Sequence, residues 1–267
     1  MDTQLALIDD GAPLEEVLDP LDATDCRLAQ RLATALAVPV DTLYVAGIPG
    51  FAAVHYADWV WCDIVDTTDR DDLTTVASEI RGQAAFIADH LRRGEFHTAF
   101  YAMQKPALWH AYQAWWDRLP VSVRYGLFVD MYQRCDAGHD QLNPQALRTI
   151  FDYAPVDPAY PRRRAAIDAL AEAPGHPGAV TVYRGHFGRT MREPLEAVSW
   201  TKDPAVARWF AGRFGSGHVV SGLAAKRDIV DVLEDRHEAE VLVRPGCVAG
   251  VVIMEYVDGP TNLAPPD

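Results

Sequence analysis

The sequence predicts an α+β fold: a helical N-terminal part followed by a mixed β core that holds one internal helix. Three observations predict it. Apolar residues recur at helical spacing as far as about residue 172. The stretch Ala173-Pro-Gly-His-Pro-Gly178 then breaks the chain. Beyond it, the apolar residues gather into short runs of β type. Helices first and strands afterwards is the order of an α+β chain, not of a parallel doubly wound sheet.

In chain order, residues 1–24 are acidic and broken by Pro13 and Pro20, and read as a loosely docked arm. Residues 24–36 have helical spacing. Ala46-Gly-Ile-Pro-Gly50 reads as a turn. Residues 71–92 give the clearest helix, with Leu73, Val76, Ile80, Ile87 and Leu91 on one face and Ala84 filling the gap. Residues 107–118 carry Trp109, Tyr112 and Trp116 on one stripe. Such a stripe can stack on bases, but burial is the ordinary use of an aromatic face, so it reads as core. Further helices are expected at 120–134, 144–152 and 161–172, the last with Pro161 in its first turn.

After the break, strands are expected at Val180–Tyr183, His218–Leu223, Asp228–Leu233, Val241–Val243 and Val248–Val257. One helix interrupts them. Asp203 is a natural N-cap, Pro204 suits the first helical position, and Val206, Phe210 and Phe214 fall on one face. Gly215-Ser-Gly217 ends that helix. The organisation expected is an acidic arm at 1–24, a helical region at 25–174, a β core at 175–260 and a tail at 261–267.

Composition excludes several function classes. The net charge is −14, and no Lys or Arg precedes Arg27 while eight acids do. A general binder of nucleic-acid backbones needs a basic face, so general nucleic-acid binding is not expected. Arg162, Arg163 and Arg164 form a local basic run that reads as a solvated helix end. Cys26, Cys62, Cys135 and Cys247 are scattered without a CxxC. Cys135 and His139 have a loose metal-like spacing, but no second pair completes four ligands, so no metal is expected. No apolar run is long enough to span a bilayer, and Met-Asp-Thr-Gln lacks a signal-peptide pattern. The chain is expected in the cytoplasm, or delivered without a visible signal peptide, and not in a membrane.

Three short motifs in the β-rich part carry chemistry. In Val180-Thr-Val-Tyr-Arg-Gly185, Arg184 sits at the end of the expected strand. A guanidinium there presents a planar fork suited to phosphates, and Gly185 lets a ligand come close to the backbone. In Val198-Ser-Trp-Thr-Lys-Asp-Pro204, Ser199 and Thr201 point the same way because strand side chains alternate. In His237-Glu-Ala-Glu-Val-Leu-Val243, Glu238 and Glu240 would share a strand face. Two like charges side by side suit a site that must stabilise a developing cation.

The order Arg184, then Ser199-x-Thr201, then Glu238-x-Glu240 resembles the Arg–Ser–Glu group of mono-ADP-ribosyltransferases, the clade of cholera-like and iota-like toxins and their cellular relatives. The resemblance runs from about Val180 to Val257. Ser-Trp-Thr followed by Asp-Pro and then Trp-Phe-Ala is similar to the form in bacterial and phage-associated members. It implies an ADP-ribosyltransferase β core and an enzyme that uses NAD⁺ as a substrate, cleaving its nicotinamide–ribose bond.

The resemblance also implies roles. Glu240 would be the catalytic carboxylate, bonded to the ribose 2′-hydroxyl. Arg184 would hold the phosphate and ribose side of NAD⁺, and Gly185 would offer backbone contacts to the carboxamide. Ser199 would position Glu240 and touch the ribose, with Thr201 in support. Glu238 would orient or deprotonate the acceptor, and Glu234-Asp-Arg-His237 would face the target. A Glu two residues before the catalytic one suggests an arginine acceptor. Trp200, Trp209 and Phe214 are the candidates for stacking on nicotinamide. His186 and His237 flank the site and read as exposed loop residues. The partners implied are a target protein or other macromolecule, with a regulatory or antitoxin partner besides. Two other readings stand beside transfer. One is an NAD⁺ glycohydrolase with water as acceptor. The other is a non-catalytic fold that binds a partner.

Overall fold

The computed structural model describes residues 30–31, 33–39, 43–45, 51–56, 61–66, 73–103, 105, 108–135, 143–187, 196–213, 215–233 and 239–258. The acidic arm and the 261–267 tail lie outside them. The fold is α+β, and the chain divides into two compact units, Met1–Ala146 and Leu147–Asp267.

The first unit is not wholly helical. Three strands, β1 (Leu43–Val45), β2 (Phe51–Tyr56) and β3 (Trp61–Asp66), form an antiparallel sheet in that order. The expected turn at 46–50 falls between β1 and β2, in residues outside those described. β-Branched and aromatic residues recur through these short segments, which is the composition of strands. Four helices follow: α1 (Leu73–Arg92), α2 (Phe96–Tyr101), α3 (Leu108–Trp115) and α4 (Val121–Arg134). The buried face of α1 is Leu73, Val76, Ala77, Ile80, Ala84, Ile87 and Leu91, the stripe its periodicity predicts.

The aromatic stripe of α3 is core. Trp109, Tyr112 and Trp116 are all buried. Tyr112 and Trp116 meet edge to face at 5.5 Å, and Trp109 lies 5.8 Å from Phe128 of α4. The Tyr112 hydroxyl donates to the Arg124 carbonyl at 2.8 Å, so its polar end is satisfied. Among the described residues no helix is long and apolar enough to cross a membrane.

Helix α5 (Pro144–Phe151) runs across the division in the chain, and α6 (Tyr160–Asp168) belongs to the second unit. α6 ends four residues before the expected 172. The second unit's sheet has six antiparallel strands: β4 (Ala179–Phe187), β5 (Ser199–Thr201), β6 (Gly217–Ala225), β7 (Ile229–Leu233), β8 (Glu240–Val243) and β9 (Val248–Val257). Their order is β7-β8-β5-β4-β6-β9. The 173–178 break is a turn inside this unit, between α6 and β4.

The sheet is covered on both faces. On one face, Ile167 and Leu170 pack with Val180, Val182, Trp200, Val220, Val241 and Val243. On the other lies α7 (Pro204–Gly212), whose Ala207 and Ala211 pack with Val219, Val257 and Tyr183. Asp203 caps α7 as its sequence predicts, accepting from the Ala205 amide at 2.7 Å. The packed face of α7 is Val206, Ala207, Ala211 and Gly212 rather than the Val206–Phe210–Phe214 stripe. Phe214 is outside the described residues. The turn toward small residues follows from how closely α7 approaches the sheet.

The arginine run is not a solvated helix end throughout. Arg163 is mostly buried and bridges Asp157 at 2.6 Å and Asp231 of β7 at 2.9 Å. Arg164 bonds Asp168 and donates to the Lys226 carbonyl at 3.0 Å. Two of the three arginines therefore tie α6 to its surroundings.

Candidate functional site

β4, β5 and β8 lie side by side, so residues far apart in sequence meet. Thr201 pairs with Tyr183 on one side and with Glu240 on the other. Ser199 pairs with Leu242, which puts Glu240 on its diagonal. Trp200 packs in the core on one face of β5, so alternation turns Ser199 and Thr201 to the other.

The Ser199 hydroxyl donates to Glu240 Oε1 at 2.5 Å. That length is at the short end for a hydroxyl on a carboxylate, as charge-assisted bonds are. Arg184 Nη1 donates to the Ser199 carbonyl oxygen at 2.7 Å. One residue thus receives the guanidinium on its backbone and serves the carboxylate with its side chain. Glu240 is buried, while Ser199 and Arg184 are partly exposed. Thr201 is buried and accepts the Asp203 amide on Oγ1 at 3.1 Å, which leads the chain from β5 into the cap of α7. Arg184, Ser199, Thr201 and Glu240 are therefore brought together.

Other expected positions differ. β4 continues to Phe187, so Arg184 and Gly185 lie within the strand rather than at its end. A Cβ on Gly185 would stand 2.0 Å from the Ala207 carbonyl oxygen and 2.5 Å from the Ala211 nitrogen. The space in front of Gly185 is filled by α7, so the missing side chain admits a helix. Trp200 is 2% exposed in the apolar core, and its indole N–H donates to the Ala197 carbonyl at 3.0 Å. Its ring is packed among aliphatic side chains and does not face a cleft. Trp209 lies on α7 against Phe210, with the Arg213 guanidinium 4.9 Å from its ring.

Glu238 and the 234–237 segment, including His237, lie outside the described residues. The expected pairing of Glu238 with Glu240 on one strand face therefore falls on a residue outside those described. β8 begins at Glu240, and Ala239 has a left-handed φ of 46°, so strand alternation stops there. His186 is not an exposed loop residue: it is buried on β4, 5.2 Å from the His218 ring. Cys135 is buried, and His139 is outside the described residues. Among the described residues no group of three His, Cys, Asp or Glu is placed to hold a metal ion.

Two features went unread in the sequence. Arg208 of α7 forks onto Glu255 of β9 at 2.7 and 2.8 Å, and this hydrogen bonding lowers the Glu255 carboxyl below its ordinary range. Ala239 is the other, and an alanine carries no signal of a left-handed backbone. Comparison with protein-family models, with curated proteins and with solved structures gave no match.

Proposed function

We propose that this chain is a mono-ADP-ribosyltransferase. It cleaves NAD⁺ at the nicotinamide–ribose bond and transfers ADP-ribose to a macromolecular acceptor, an arginine side chain foremost, as a bacterial or phage-associated toxin or effector. The observation that carries this reading is the meeting of Arg184, Ser199 and Glu240, with Ser199 hydrogen-bonded to both of the others.

The donor set suits the substrate. A guanidinium matches the diphosphate, a hydroxyl matches the ribose, and a carboxylate held by that hydroxyl opposes positive charge at ribose C1. NAD⁺ supplies the leaving group, since its C1–N bond breaks with the electron pair on nicotinamide. The acceptor nitrogen then bonds C1, and its proton passes to a base, the role this reading gives to Glu238.

The test is nicotinamide release from NAD⁺ by the purified chain, with and without cell lysate or free arginine. Wild type should release nicotinamide, and Glu240→Gln should lower the rate by about a hundredfold or more. Dependence on lysate or arginine identifies transfer, and its absence identifies hydrolysis by water. Neither release nor NAD⁺ binding in any condition would replace this reading with the non-catalytic, partner-binding one.

A further inference from the structure

Among the described residues, the non-glycine residues at positive φ are Ala37 and Ala239, and Ala239 immediately precedes the carboxylate of the site. Its carbonyl accepts the Lys202 amide at 3.1 Å, one step beyond the Thr201–Glu240 pair. This bond ties the residue before β8 to the residue after β5. The residue that opens a strand takes its direction from the backbone just before it, which here is Ala239. Glu240 opens β8, paired with Thr201 of β5 and Leu233 of β7; it is buried and meets Ser199 Oγ at 2.5 Å.

We infer that Ala239 is a positioning residue: its left-handed backbone, held by the Lys202 amide, fixes the angle at which Glu240 enters β8 and so aims the carboxylate at Ser199. The inference rests on the proposed NAD⁺ chemistry for its kinetic consequence, though not for its structural one. An alanine restricts the backbone more than a glycine would, and its single methyl makes the left-handed region costly, though less so than a β-branched side chain does. A β-branched residue at this φ is a steric outlier and would drive the peptide back toward the extended region. The Ala239 carbonyl would then turn away from Lys202, and the Glu240 side chain would swing with it.

Valine and asparagine are close in size but opposite in their tolerance of positive φ, so they separate backbone conformation from bulk. Two readouts are measured on Ala239→Val, Ala239→Asn and Ala239→Gly: hydrogen exchange of the Lys202 amide, and kcat and KM for nicotinamide release. Ala239→Val should lose the Lys202 protection. Its kcat should fall about a hundredfold, as misplacement of a reacting group by about 1 Å does, with KM changed little. Ala239→Asn should keep the protection and most of kcat, and Ala239→Gly should keep the protection with a smaller loss of kcat.

Equal losses in Val and Asn would overturn the inference, since bulk rather than φ would then matter. Protection and kcat both retained in Ala239→Val would overturn it as well. If wild type releases no nicotinamide, the proposed function fails. The exchange measurement still decides whether Ala239 sets the backbone before Glu240.

Discussion

Glu240 enters β8 with its carboxylate already bonded to the Ser199 hydroxyl, whose own backbone holds Arg184. Ser199→Ala should therefore act through Glu240. Losing a hydrogen bond to a buried charged group costs about 2 kcal/mol. If that bond is strongest in the transition state, nicotinamide release falls by about tenfold or more, mainly in kcat. Ser199→Thr restores the hydroxyl on a residue suited to a strand, so it should recover part of the rate. Steady-state kinetics of the two variants check this, and equal loss in both would show that the hydroxyl is not what matters. At this scale the site was legible where chemistry dictates residue type. Arg184, Ser199 and Glu240 could be picked out because their order over three segments is informative. Alternation carried Ser199 and Thr201 correctly, because both lie within β5. For Glu240 and the residues before it alternation gives no guide, because it assumes a strand through Ala239, whose φ is 46°. Trp200 shows the reverse limit: the same alternation that exposes its neighbours sends it into the core.

The elements around the site are held by close approach and by buried charge. Gly185 and α7 meet so tightly that a methyl at Gly185 would overlap the backbone of Ala207 and Ala211. Gly185→Ala should therefore destabilise the fold by about 2–3 kcal/mol, the usual scale of overpacking. Urea unfolding measures this. Were the glycine there only for a ligand, the variant would keep its stability and lose NAD⁺ affinity alone. Arg163 does comparable work at the β7 edge, between Asp157 and Asp231, whose side chains are 6% and 4% exposed. Arg163→Met leaves both carboxylates buried without this cation and should cost about 3–5 kcal/mol. Adding Asp231→Asn to that variant should recover part of the loss, because one uncompensated charge is then gone. No recovery would mean that the packing of the Arg163 stem, not its charge, is what counts. Element types were legible from periodicity, as in α1, and from capping, as at Asp203. The β1–β3 sheet was not, because short strands give too few residues for a period to emerge. The face that α7 buries was not legible either, since it is chosen by glycines on two other strands, Gly185 and Gly217.

For the whole molecule, the Pro- and Gly-rich break at 173–178 is conspicuous in sequence, yet the compact units divide at Ala146 and Leu147. What carries the chain past the break is long-range: Arg244 bonds Asp152 at 2.7 Å, and Arg163 bonds Asp231. Local composition does not reveal such ties. The same kind of tie sets how stability responds to acid. The Glu255 carboxyl is lowered chiefly by its hydrogen bonds from Arg208, and the Asp168 carboxyl chiefly by its hydrogen bond from Arg164. A carboxyl whose folded-state pKa is lowered gives stability that is present above its unfolded value, about pH 4. That stability is lost as pH falls through the lower folded value. Acidification also neutralises part of the −14 net charge and relaxes its self-repulsion, which acts in the opposite direction. Wild type alone therefore mixes two effects, and the difference between wild type and Glu255→Gln isolates the pair. That difference should be level between about pH 7 and pH 5 and should close below about pH 4. Both partners are half-exposed, with side chains 43% and 38% accessible, so added salt should shrink the difference at every pH. Urea midpoints at three pH values and two salt concentrations measure it. A gap that widens on acidification would show that Arg208 does not stabilise the ionised Glu255, and that α7 is held to β9 by packing alone.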